Sequence, residues 1–144
     1  MGQDYSGDVT AREAWDLLKT SQDATLVDVR TRAEWSFVGV PDLTDLGKEV
    51  VFIEWQSFPE RERNPQFVDA LTAELKRRGV DPDAPLLFIC RSGGRSASAA
   101  RAVTASGRGQ CYNVAGGFEG GLDGERHRGR RSGWKAENLP WVQT

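Results

Sequence analysis

The chain has 144 residues, 38% of them hydrophobic and 28% charged, with a formal net charge of −2 and two cysteines. That length supports one domain with a real core, and the absence of any long apolar stretch excludes a transmembrane helix. Two cysteines outside any CxxC pair argue against a disulfide scaffold or a zinc cluster and suit a reducing compartment.

The charge is uneven: residues 1–72 carry −7 and residues 73–144 carry +5. The start, Met1-Gly2-Gln3-Asp4-Tyr5, has neither a basic n-region nor an apolar h-region, which predicts no signal peptide and a cytoplasmic setting. Met1-Gly2 with Ser6 matches a myristoylation pattern only weakly and lacks a second anchoring signal.

In chain order, Thr10-Ala11-Arg12-Glu13 is a capping box that predicts a helix from Ala11, with Ala11, Ala14, Trp15 and Leu18 on one face. Thr25 to Val29 reads as a strand, residues 32–36 as a short helix, and Val50 to Ile53 as a strand. Asn64-Pro65 predicts an N-cap with proline at the first helical position; Phe67, Val68, Leu71 and Leu75 form the stripe, and Gly79 is the stop. After the turn Asp81 to Pro85, Leu86-Leu87-Phe88-Ile89 reads as a buried parallel strand. Arg95 to Ser106 is predicted as a helix packed through Ala97, Ala100 and Val103 and stopped by Gly107. Cys111 to Val114 reads as a late strand, with Cys111 in the core, and Gly116-Gly117 as a tight strand-to-helix turn. Strand and helix alternate, so the expected fold class is α/β: an open parallel sheet of about five strands with helices on both faces.

Cys90-Arg91-Ser92-Gly93-Gly94-Arg95-Ser96 carries the chemistry. The cysteine sits at a strand end, in a glycine-rich loop that opens a helix. Loop amides and the helix N-terminus can both face its sulfur, which favours the nucleophilic thiolate. Gly93 and Gly94 let successive N–H groups turn inward as an anion nest, and Arg91 and Arg95 add fork geometry for oxyanions. No Ser/His/Asp arrangement is evident, and an ionised cysteine needs no base. The loop therefore predicts attack by sulfur on an electrophile carried by a small oxyanion.

The loop and its flanking segments resemble the rhodanese (thiosulfate sulfurtransferase) family. Leu26-Val27-Asp28-Val29-Arg30 resembles the early strand motif and is followed by Arg32-Ala33-Glu34-Trp35. Val40-Pro41 stands where a Gly-His-Ile-Pro-Gly-Ala-like segment usually lies, without its histidine. Asn113-Val114-Ala115-Gly116-Gly117 resembles the late strand and double glycine, and Trp134 to Pro140 the closing segment. The likeness spans nearly the whole chain and implies a single rhodanese-like domain over residues 1–144. It implies that Cys90 takes the outer sulfur of thiosulfate or a similar anion as a persulfide and passes it to cyanide, a thiol or a protein, with no metal or other cofactor. Arg91 is the candidate for the donor's oxyanion; Arg95 either binds anion or braces the turn. Phosphatase and arsenate-reductase relatives use Cys-x5-Arg, and the Cys-x4-Arg spacing here resembles the sulfur-transferring branch. A non-catalytic sulfur-relay or docking module is the alternative from a different class.

Asp28 and Arg30, at a strand end, are expected to form an ion pair that supports the loop. Trp55 and Phe58 either wall the pocket or pack under a long loop. The closing tryptophan is delayed by roughly a dozen residues, an insertion at about 119–133 that holds Arg126, His127, Arg128, Arg130 and Arg131. It reads as a solvated basic loop; without interleaved aromatics it does not favour nucleic acid.

Overall fold

The computed structural model describes residues 4–143; Met1-Gly2-Gln3, on which the leader and lipidation readings fall, lies outside the described residues. Five parallel strands form the main sheet: β1 (Gly7–Val9), β2 (Thr25–Asp28), β4 (Val51–Phe52), β5 (Leu86–Ile89) and β6 (Cys111–Val114), in the order β1-β6-β5-β2-β4. The helices are α1 (Ala11–Thr20), α2 (Arg32–Phe37), α3 (Phe67–Arg77) and α4 (Gly94–Ala105). A short antiparallel pair, β3 (Val40–Pro41) with β7 (Trp141–Val142), ties the C-terminal segment to the middle of the chain.

The period of two along β5 divides the core. Leu86 and Phe88 face α3 and α4 together with Val27, Val51, Phe67, Leu71, Leu75, Ala100 and Val103. Leu87 and Ile89 face the opposite side with Ala11, Ala14 and Leu18 of α1, and with Leu26, Val114, Phe118 and Trp134. Helices therefore cover both faces, which explains why β5 is apolar throughout rather than alternating. The Thr10 and Glu13 pair closes a reciprocal capping box at α1, and Thr31 and Glu34 close a second at α2.

Three departures from the sequence reading have clear causes. The α3 helix begins at Phe67, because Asn64 Oδ1 accepts from the Gln66 amide and holds Asn64 to Gln66 in a turn. Turns, not a helix, follow Gly116-Gly117. β1 carried no apolar run; it is a strand because Gly7, Asp8 and Val9 pair with Tyr112, Asn113 and Val114. No helix among the described residues is long and apolar enough to cross a membrane.

Asp28 and Arg30 form an ion pair with no exposed side-chain surface, 2.8 Å from Arg30 Nη2 to Asp28 Oδ2. Arg30 also donates to the Gly39 carbonyl at 2.8 Å and lies over the Phe118 ring at 4.3 Å. The pair thus links the end of β2 to the segment before β3. Removing one partner of such a pair leaves an uncompensated buried charge. Arg30→Met should therefore cost about 3–5 kcal/mol in urea unfolding, and the double variant Asp28→Leu/Arg30→Met should recover most of that loss. Equal stability of the single and double variants would contradict this account.

Candidate functional site

Cys90 follows β5 directly, so the sheet delivers it to the C-terminal edge where open α/β folds bind ligands. It is 1% exposed, at the floor of a cleft of about 720 Å³. Arg91, Ser92, Gly94 and Arg95 also line this cleft, with Thr31, Glu34, Phe37, Phe58, Arg61 and Arg128 contributed by other segments.

The Gly93 amide donates to Cys90 Sγ at 3.2 Å. Gly93 caps α4 at φ 111°, and a side chain there would overlap the Ala115 carbonyl. The loop rests on the double-glycine turn: the Phe118 amide donates to the Cys90 carbonyl at 2.8 Å, and the amides of Glu119 and Gly120 donate to the Arg91 carbonyl at 3.0 Å. A Cβ on Gly117 would lie 2.5 Å from that Arg91 oxygen, so only glycine permits the approach.

Ser96, on the first turn of α4, places Oγ 3.1 Å from Cys90 Sγ. Its hydroxyl hydrogen is committed elsewhere. Asn113 Nδ2 donates to Asp8 Oδ1 at 3.0 Å, and the Tyr5 hydroxyl donates to the same oxygen at 2.7 Å. The Asp8 carboxylate accepts only, so it holds the amino end of the Asn113 amide and turns Asn113 Oδ1 toward Ser96, which donates to it at 2.6 Å. Ser96 therefore presents a lone pair to the sulfur and can accept a thiol hydrogen.

Arg95 does not point its charge at a ligand. Its two terminal nitrogens fork onto Glu34 at 2.7 and 3.0 Å, bracing α4 against α2. Burial pushes the Glu34 carboxyl up, but the Arg95 hydrogen bonds and charge, with bonds from Thr31, outweigh it and leave the group below its ordinary value. Arg91, in contrast, is exposed on the cleft wall. Asp28 and Arg30 are fully buried and do not line the cleft.

The reading of Trp55 as a pocket wall is corrected. Trp55 is 8% exposed and packs edge-on against Phe67 at 5.2 Å under Arg63, so it belongs to the core beneath the long loop. Phe58 does line the cleft. In the basic insertion, Arg126, His127, Arg130 and Arg131 are exposed, and Asp123 accepts from the Glu125 and His127 amides. Arg128 differs: it donates to the Gly120 carbonyl at 2.7 Å and enters the cleft wall. Nothing in the local sequence of Phe37, Arg61 or Asn113 links them to Cys90; the fold brings Phe37 and Arg61 to the cleft and Asn113 to Ser96. Among the described residues no cluster of His, Cys, Asp or Glu could hold a metal ion. Cys111 is buried and free, with burial raising its thiol pKa.

Two measurements check this geometry. Asn113→Ala releases the Ser96 hydrogen toward the sulfur, so iodoacetamide should alkylate Cys90 about five- to tenfold faster at neutral pH. Peptide mapping reports the site, and an unchanged or slower rate would refute the hydrogen assignment. The lowered Glu34 group stabilises the fold above the ordinary glutamate value of about 4.3, and that contribution is lost as pH falls through the lower folded value. The stability gap between wild type and Glu34→Gln in urea melts should therefore narrow on acidification; a constant gap would show that the clamp is not titrating.

Residues 6–144 match the family model described as the STR4 middle domain. The crystal structure of Rv0390 from M. tuberculosis superposes with a TM-score of 0.85 at 48% identity, covering 97% of this chain and 99% of that one. An uncharacterised protein of Rickettsia conorii, RC0915, is 38% identical over 133 residues, 92% of this chain and 94% of its own. The chloroplastic rhodanese-like domain-containing protein 4 of Arabidopsis thaliana is 29% identical over 135 residues, which is 93% of this chain but 25% of that protein. The solution structure of a polysulfide-sulfur transferase homodimer from Wolinella succinogenes shares the fold, with a TM-score of 0.60 at 24% identity, over 98% of this chain and 80% of that one. The fold is rhodanese-like, and the chain belongs to the STR4 middle domain family.

Proposed function

We propose that this chain is a sulfurtransferase that moves a sulfane sulfur from thiosulfate or a similar small anion to a thiophilic acceptor through a persulfide on Cys90. The observation that carries this reading is the position of Cys90 Sγ: on the floor of an open cleft, bonded by the Gly93 amide, at the N-terminus of α4. The rhodanese-like name of the plant relative supports the same reading.

In the first step Cys90 sulfur attacks the outer sulfur of thiosulfate. A new S–S bond forms, the old one breaks, and sulfite leaves with the electron pair. The first-turn amides of α4 have no intrahelical acceptors, so Gly94, Arg95 and Ser96 can offer N–H groups to the anionic outer sulfur, beside Ser92 and Gly93. Arg91 receives the departing oxyanion. In the second step cyanide, a thiol or a protein cysteine attacks the outer sulfur and returns the electron pair to Cys90. Arg95 keeps the loop against α2 through Glu34, and Asp28 with Arg30 supports the loop from below. Neither step requires a cofactor, and a reducing setting such as the cytoplasm would keep Cys90 free.

The commitment of Arg95 to Glu34 weighs against phosphatase or arsenate-reductase chemistry, which needs that guanidinium in the anion cradle. Thiosulfate treatment should add about 32 Da to the intact protein, mapped to Cys90 and removed by cyanide or dithiothreitol. Cys90→Ala should take up no labile sulfur; transfer at the wild-type rate by that variant would end the proposal.

A further inference from the structure

The cleft is much larger than the donor proposed for it. One water takes about 30 Å³, so a five-atom anion fills a small part of about 720 Å³. The lip also carries two aromatic rings from different segments, Phe37 at the end of α2, 81% exposed, and Phe58 on the loop after β4, 63% exposed. Covering phenyl rings supplies affinity that a small hydrophilic anion cannot use.

The charge of the lining has one sign to spare. Glu34 is matched by Arg95, and Glu119 faces the charge of Lys135. Arg61 and Arg91 make no ion pair among the described residues, and Arg128 spends its bond on a carbonyl and keeps its charge. Arg91 sits beside the cysteine in the loop. Arg61 and Arg128 come from segments distant in sequence and widen the positive field beyond the sulfur.

We infer that the sulfur acceptor is a protein, docking an exposed segment whose cysteine is flanked by acidic and apolar residues: the apolar residues cover Phe37 and Phe58, and the carboxylates meet Arg61 and Arg128. This inference rests on sulfur transfer through Cys90. The partner's thiolate attacks the outer sulfur of the Cys90 persulfide, the S–S bond to Cys90 breaks, its electron pair returns to Cys90 as thiolate, and the partner leaves as the persulfide. No outside oxidant or reductant enters.

The test uses the full chain loaded with sulfur from thiosulfate and two synthetic peptides. Each has a central cysteine with phenylalanine and leucine beside it; one carries aspartate and glutamate at its flanks, the other lysine at the same positions. Loss of the Cys90 persulfide is followed by mass spectrometry, with dithiothreitol as an uncharged reference acceptor. The acidic peptide should react about tenfold faster than the lysine peptide at low salt, and the ratio should fall as salt rises. Arg61→Gln and Arg128→Gln, singly and together, should each reduce the ratio. Phe37→Ala should slow both peptides. Discharge by dithiothreitol should be unchanged in all of these variants. Equal peptide rates with normal dithiothreitol discharge would overturn the docking surface and leave the persulfide chemistry standing. So would an equal slowing of dithiothreitol in the arginine variants. Failure of Cys90 to load would remove the chemistry and the docking surface together.

Discussion

Backbone lies against backbone beside the Cys90 sulfur. The carbonyls of Cys90 and Arg91 take amides from Phe118, Glu119 and Gly120, while Gly93 and Gly117 permit approaches that a Cβ would block. This contact holds the cysteine loop open at the end of β5. A loop braced by side chains alone would lose rotamer entropy on ordering and leave buried carbonyls to satisfy. Here the second glycine-rich turn satisfies those carbonyls directly.

The charged groups around the loop divide by what they face. Arg30 meets Asp28 out of water, and Arg95 meets Glu34 at the cleft wall, so both guanidinium groups are committed to structure. Arg61, Arg91 and Arg128 face the open volume. That division makes Arg95 a brace in this fold, because both of its terminal nitrogens are spent on the Glu34 carboxylate. Arg91 and Arg128 come from the positive half of the chain and Arg61 from the negative half, so the local charge of the cleft is set by the fold rather than by the charge of either half.

The buried chain from Tyr5 through Asp8, Asn113 and Ser96 ends on the sulfur. It crosses from β1 to β6 to α4, so the short first strand is linked to the Cys90 sulfur as well as to the sheet. A carboxylate that can only accept determines which way an amide turns. That in turn determines where a hydroxyl hydrogen points.

Local sequence was enough for much of this molecule. The capping box at Thr10, the four apolar residues of β5, the glycine stops and the strand–cysteine–glycine–helix order all act through neighbours within a few residues, so they are readable without a fold. The placement of the cysteine in a glycine turn that opens a helix was legible for the same reason. What lay beyond local sequence was every pairing across the chain. Trp55 and Phe58 are three residues apart, yet one enters the core under Arg63 and the other lines the cleft. Arg95 could face an anion or a carboxylate until α2 brought Glu34 to it, and Arg128 in a basic loop gave no sign that it would reach the cleft. Hydrogen-bonding capacity and apolar period belong to the residue and its neighbours. Which donor meets which acceptor, and which rings remain in water, is decided only when the sheet brings distant segments to one edge.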